Sequence, residues 1–476
     1  VSFGRARGGS RVAVIDIVPS QLINEEIVMK FQFRSAAINA CLGLLASLVL
    51  GGCDVSPGER TIDLGGGRFQ LALDAAVGTT PPAWLGGAVQ WQYVGQATYV
   101  RSGSRNLIKP ATAGDGPPTD TVTRLLGSVM EDDSGRLFRP TSVDVTKLRA
   151  AIAGYGQRVA RDVGVEHEVL AGAAAPGGAD PDPGPGRDTA LSWTVKDQDG
   201  DGLDDYSVWD GDDRGVVVEP LTSRQKKAVV YFFGDMNSDA GQCSGTIIGD
   251  YWVLTAAHCA LDSATGTNWI YAEDSDPNDG LVEARRGKVC TRGNYYSGAT
   301  CANVTARWSN GDWTGIGDMG DDLVVMKIDQ PLGAGNYMAL SQASDSTLKA
   351  ALQYNLGYPG LAPNGSSNLI NCTPLYAGDS FGGFESDALA PCQTKMYWSS
   401  GDCNHASSKV LGTKIDMSAG HSGGPIFYYP DGVSETASHF LTAVVSGYHD
   451  GLTENYNGGA KVPYHRDWII GIMDGN

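Results

Sequence analysis

Gly420-His421-Ser422-Gly423-Gly424-Pro425, followed by the apolar run Ile426-Phe427-Tyr428-Tyr429, is the stretch on which the reading of this chain turns. A serine set between glycines on a tight turn presents its hydroxyl as a candidate nucleophile. Gly420 lets the backbone bend so that its own amide N–H and that of Ser422 aim at one spot, the geometry that binds a developing oxyanion. Gly-Ser-Gly turns also serve as plain loop connections, so the motif needs partners. Two stand upstream: Thr255-Ala256-Ala257-His258-Cys259, and Asp321-Asp322-Leu323-Val324-Val325-Met326-Lys327 between that block and the serine. A neutral hydroxyl is a poor nucleophile until a base takes its proton, and an imidazole base needs a carboxylate to fix its tautomer. Asp322 is preferred for that role because it directly precedes the apolar strand; Asp321 is the adjacent alternative.

The chain has 476 residues, room for two or three domains. Its 64 glycines and 22 prolines predict many turns with β structure or long loops. A formal charge of −19 argues against a nucleic-acid-binding surface and is compatible with calcium binding. Seven of the nine cysteines follow residue 240, which places that part in an oxidising compartment. There is no C-x-x-C or H-E-x-x-H spacing to support zinc.

From the start, residues 1–28 carry no periodicity and read as an over-extended frame ahead of Met29. Met29-Lys30-Phe31-Gln32-Phe33-Arg34, the apolar run from Ala36 to Leu50, and Leu50-Gly51-Gly52-Cys53 read as a signal peptide. The run is too short for a membrane-spanning helix. Its end resembles the lipobox of bacterial lipoproteins, which implies a lipid on Cys53 and a membrane anchor; an ordinary secretory signal is the alternative. Either way the protein is expected to be exported, to the bacterial cell envelope or beyond it. Residues 54–170 carry no recognisable chemistry and read as a small α+β module or a pro-region. Within them, Arg68 to Ala76 alternates weakly, Val89 to Val100 alternates as a strand does, and Val143 to Val163 has helical spacing interrupted by glycines. His167 reads as a solvated residue. Residues 171–190 form a Pro/Gly/Ala linker. Within 191–220, Asp197, Asp199, Asp201 and Asp205 stand at positions 1, 3, 5 and 9 of a loop with Gly202 at 6 and the carbonyl of Leu203 at 7. This spacing fits a structural calcium loop and resembles that of thrombospondin type-3 modules; Val208 replaces the bidentate Glu of a full EF-hand.

From 221 to 476 short apolar runs alternate with turns, as in an all-β barrel or sandwich. Here the resemblance is specific. Cys243-Ser244-Gly245-Thr246-Ile247-Ile248 with Trp252 to Cys259, Asp322 to Lys327, and Gly420 to Pro425 are similar to the histidine, aspartate and serine blocks of trypsin-like proteases. That resemblance implies a mainly β domain of two six-stranded antiparallel β-barrels and a Cys243–Cys259 disulfide. It also implies a Ser422–His258–Asp322 triad with Gly420 and Ser422 as oxyanion donors, acting on protein or peptide substrates. Gly357-Tyr358-Pro359-Gly360 and Gly447-Tyr448-His449-Asp450-Gly451 resemble segments of bacterial glutamyl-endopeptidase-like proteases. In most trypsins an aspartate before the serine pairs with a freed N-terminal amine; His421 stands there instead, as a structural substitute, which implies a branch without that activation switch. Asp416 and His449 are the specificity-pocket residues the resemblance implies, His449 favouring acidic residues on the acyl side of the cut.

His405, His439 and His465 read as ordinary surface or core histidines. Cys290 and Cys301 could close a short loop, and Cys372, Cys392 and Cys403 leave an odd thiol. The competing reading is a catalytically inactive protease-like binding or adhesion module, which has no need of a complete triad.

Overall fold

The structure is a computed structural model. It describes residues 2–5, 11–14, 61–72, 78–101, 120–163, 193–195, 206–208, 215–216, 224–233, 242–262, 266–271, 287–291, 300–315, 317–332, 335–359, 361–363, 369–371, 396–418, 420–430, 439–450 and 455–473. Two compact units result, Val1–Arg60 and Thr61–Asn476. In the first, Ser2–Arg5 pairs antiparallel with Arg11–Val14.

Apolar runs with β-branched and aromatic residues build the sheets, because such side chains pack well on a pleated, half-buried surface. In the first barrel these strands are β4 (Val229–Phe233), β5 (Gln242–Gly249), β6 (Trp252–Thr255), β7 (Lys288–Cys290), β8 (Cys301–Ser309) and β9 (Val324–Ile328). Their order is β7-β4-β5-β6-β9-β8, and β7 pairs again with β8, so the six strands close. Closure removes the exposed edges of an open sheet. The second barrel repeats this with β10 (Leu352–Gly357), β11 (Tyr397–Ala406), β12 (Val410–Thr413), β13 (Pro425–Tyr428), β14 (Phe440–Asp450) and β15 (Asn455–Lys461). Its order is β11-β10-β13-β14-β15-β12, closed by β11 against β12. All pairings around both barrels are antiparallel. The chain ends its described part in helix α3 (Val462–Met473).

Described strands upstream of the first barrel pack onto it. β1 (Val89–Gln96), β2 (Val129–Asp132) and β3 (Arg136–Val143) extend its sheet, β2 pairing with β8 from Ala306↔Asp132 to Ser309↔Val129. The alternation from Val89 stops at Gln96, and Tyr99–Arg101 pairs elsewhere, with Arg68–Leu71 and Trp269–Tyr271. At the seam, Glu131 and Arg307 are both fully buried and joined at 3.1 Å. Tyr99 donates to the other Glu131 oxygen at 2.5 Å, and Arg307 Nη1 donates to the carbonyl of Ile270 at 3.0 Å. These further hydrogen bonds offset part of the desolvation cost of a buried charge pair.

Helix α1 (Thr121–Gly127) starts at Asp120, whose carboxylate accepts from the N–H groups of Val122 and Thr123. Helix α2 (Val145–Val163) runs unbroken through Gly154 and Gly156, each of which costs it about 1 kcal/mol. Its buried Leu148, Tyr155 and Val159 recur at helical spacing. Both helices pack on α3: a Cβ on Gly471 would meet Leu125 at 3.0 Å and Leu148 at 3.1 Å. No described helix is long and apolar enough to cross a membrane.

Candidate active site

The histidine block is positioned by β6, whose four residues are all buried. After it, Ala257–Cys259 forms one tight helical turn that carries His258, and the Cys243–Cys259 disulfide ties this turn to the start of β5. His258 Nδ1 lies 2.7 Å from Asp322 Oδ2, and the backbone N–H of His258 donates to Asp322 Oδ1 at 2.9 Å. Ser446 Oγ donates to Asp322 Oδ2 at 2.5 Å. Three donors thus fix the carboxylate in one orientation. An ionised carboxylate can only accept, so Nδ1 carries the proton and Nε2 presents a lone pair. Burial opposes protonation of His258, but the charge of Asp322 and its hydrogen bond outweigh it and raise the pKa above the ordinary histidine value.

Asp321 turns elsewhere. Its Oδ2 accepts from Lys409 Nζ at 2.7 Å and its Oδ1 from Asn310 Nδ2 at 3.1 Å. The choice between the adjacent aspartates is therefore made by the fold: only Asp322 faces the imidazole.

Ser422 sits on a turn clamped from both barrels. Its carbonyl accepts from Ser244 N at 2.7 Å, and Ser244 Oγ donates to the carbonyl of Gly420 at 2.8 Å. Gly423 N donates to Val445 O at 2.7 Å. Gly420 and Gly423 hold φ values of 92° and 80°, a left-handed region that other residues enter with strain. At Gly423 a side chain is excluded outright, since a Cβ would fall 2.1 Å from Thr255 Oγ1. Two routes bring the serine turn to the histidine. Ser244 adjoins Cys243, which is bridged to the neighbour of His258; and Val445 adjoins Ser446, which holds Asp322.

His421 is buried, and its Nδ1 lies 3.1 Å from the N–H of Ser418. Its ring lies against Gly357, where a Cβ would come within 2.6 Å of Cδ2. Asp416 is buried, with its N–H donating to Ser399 Oγ at 3.3 Å. His449 is half-buried and stacks on Tyr456 at 4.8 Å, and His405 stacks on the same ring at 4.7 Å. This three-ring stack has no signature in the sequence, because His405, His449 and Tyr456 lie on three different strands. Ser446 and Ser244 were also missed: each is a lone small polar residue beside or within an apolar strand, and only the fold shows what it holds.

Cys290 and Cys301 form a second disulfide, and Cys403 is a buried free thiol that burial pushes up to about 11. Ligand atoms of Cys243, His258 and Cys259 lie within 4.8 Å of one another, but the two sulfurs are bonded together and offer no thiolate to a metal. The calcium loop, the linker, Cys53, Cys372 and Cys392 lie outside the described residues.

Two closed barrels, with a histidine–aspartate pair on one and a glycine-flanked serine on the other, define a serine protease of the trypsin-like, chymotrypsin-fold class. The family model for trypsin matches residues 222–469, more than half of the chain, and the chain belongs to that family. Among solved structures, it is similar to a Glu endopeptidase in complex with MPD, with 19% identity over 52% of this chain and 90% of that one and a TM-score of 0.35. A scabies mite inactivated protease paralogue shares 13% identity over 52% and 94%, TM-score 0.34. Neuropsin, a serine protease expressed in the limbic system of mouse brain, shares 13% over 52% and 95%, TM-score 0.32. No curated protein matches the chain.

Proposed function

We propose that the protein is an active serine endopeptidase. The observation that carries this reading is the Asp322 carboxylate, held by three donors, two of them on His258. A carboxylate so fixed gives His258 the tautomer a general base needs. Ser422 Oγ attacks the peptide carbonyl carbon while His258 Nε2 takes its proton, and the carbonyl oxygen becomes an oxyanion bound by the N–H groups of Gly420 and Ser422. Each such donor contributes about 3–4 kcal/mol to lowering the barrier. The tetrahedral intermediate collapses as His258 returns the proton to the leaving amine. Water then attacks the acyl-enzyme carbonyl, losing its proton to the same imidazole; the bond to Ser422 Oγ breaks as His258 returns that proton to Oγ, and the acid product leaves. Hydrolysis of an unfolded protein substrate tests this: Ser422→Ala should lose several orders of magnitude in kcat, and activity within about tenfold of wild type would remove Ser422 from the mechanism.

The reading extends to an exported protein with calcium held by Asp197, Asp199, Asp201, Asp205 and the carbonyl of Leu203, and with lipid on Cys53. Carboxylate spacing supports the first and the Leu50-Gly51-Gly52-Cys53 end of the apolar run the second. Calorimetry of the full chain showing no heat with calcium, or a fatty-acid probe that leaves Cys53 unlabelled in producing cells, would sink them separately.

A further inference from the structure

Arg124 lies on α1, outside the span that matches the family, and it is buried. Its Nη1 donates to His465 Nδ1 at 3.3 Å, and its guanidinium carbon lies 4.1 Å over the ring of Tyr464. His465, fully buried on α3, spends its other nitrogen on the carbonyl of Gly320 at 2.7 Å. One ring nitrogen accepts and the other donates, which is the bonding of a neutral imidazole. Gly320 stands two residues before Asp322. Between them Asp321 is pinned by Lys409 and Asn310, and His465 Nε2 is 3.8 Å from its Oδ1.

The end of the same helix also meets α3 and the Asn310 loop after β8. Ser128, just past its end, donates to the carbonyl of Arg124 at 3.0 Å and accepts from Trp468 Nε1 at 2.8 Å. A Cβ on Gly127 would sit 3.3 Å from the carbonyl of Asn310. Besides His465, the charged or titratable groups facing Arg124 are Tyr464 and Asp467 on α3, and Asp321 and Asp312 on the loops beside it. Burying an arginine is costly in desolvation, and Arg124 spends Nη1 on His465 while its Nε is buried without a hydrogen-bond partner among the described residues.

We propose that Arg124 is a positioning residue for the catalytic carboxylate: through His465 and Gly320 it holds the loop that aims Asp322 at His258. The proposal rests on the reading of Asp322 as a triad member. Without Arg124, His465 loses the donor that fixes its ring, and Gly320 loses a fixed partner. The two bonds from Asp322 to His258 then loosen, so the imidazole samples the wrong tautomer and its proton is held less tightly.

The test uses the full chain, with active sites counted by fluorophosphonate titration. Arg124→Gln is expected to lower kcat per titrated site roughly tenfold with KM within about twofold, because only the transition state uses the aimed carboxylate. The acid-limb midpoint of kcat/KM should move down toward the ordinary histidine value, and Arg124→Lys should recover part of both changes. A merely structural Arg124 would lower Tm and leave per-site kcat and the midpoint unchanged, which overturns the proposal. If Arg124→Gln does not fold, Ser128→Ala reads the same helix and should move both quantities in the same direction by less; no movement overturns it equally. A wild type with no titratable serine would defeat the protease reading and this proposal together, whereas an active wild type with an unchanged Arg124→Gln defeats this proposal alone.

Discussion

Asp321 and Asp322 adjoin in the chain and send their carboxylates to separate partners: Asp322 Oδ2 lies 2.7 Å from His258 Nδ1, and Asp321 Oδ2 lies 2.7 Å from Lys409 Nζ. Both are almost fully buried. The first pair orients the imidazole; the second ties the same loop to the residue before β12.

Substitution should separate the two. Asp322→Asn preserves shape but turns an acceptor-only group into one that can also donate, which favours the wrong imidazole tautomer. A loss of about 10⁴ in kcat is expected, with little change in Tm. Asp321→Asn leaves Lys409 in the interior without its counter-charge and should cost about 3–5 kcal/mol of stability, while kcat per titrated site falls far less. Equal losses of kcat in the two variants would contradict the division.

The pH dependence of kcat/KM follows from His258. The imidazole must be neutral to act as base, and Asp322 raises its pKa above the usual 6.5 despite burial. Activity should therefore rise through a midpoint above that value, and Asp322→Asn should lower the midpoint. For stability the sign runs the other way: the extra affinity for the proton stabilises the fold fully below pH 6.5 and is lost as pH rises through the native pKa. An acid limb centred below 6.5 in the wild type would contradict the pairing.

His465 behaves oppositely. Burial, chiefly, pushes its pKa down to about 3, so the native protein keeps it neutral while the unfolded chain protonates it below about 6.5. Its contribution is complete above that pH and is lost as pH falls toward 3, at about 1.4 kcal/mol per pH unit. Asp318, which burial raises to about 6, acts with the opposite sign over part of this window. The readout is therefore the difference between wild type and His465→Gln in urea midpoints at pH 7 and pH 4.5, with the variant losing less. Parallel losses would remove His465 from the acid response.

The histidine, aspartate and serine blocks and the Cys243–Cys259 pair were legible because each rests on local residue types in a short run. The extension of the first barrel was not. Glu131 and Arg307 are 176 residues apart, and only strand pairing brings them together in the core. His465 read as an ordinary surface or core residue, and burial with bonds at both nitrogens gives it its place behind the Asp322 loop. Gly154 and Gly156 looked like interruptions of a helix, yet burial of one face of α2 outweighs their low propensity.

The central claim is that Ser422 is a nucleophile activated by the His258–Asp322 pair. The most direct measurement is mass spectrometry of the folded full chain after reaction with a fluorophosphonate, with the modified peptide sequenced. The account predicts one adduct, on Ser422, absent in Ser422→Ala and formed much more slowly in Asp322→Asn. A folded wild-type protein that takes no adduct, or takes it on another residue, would contradict it.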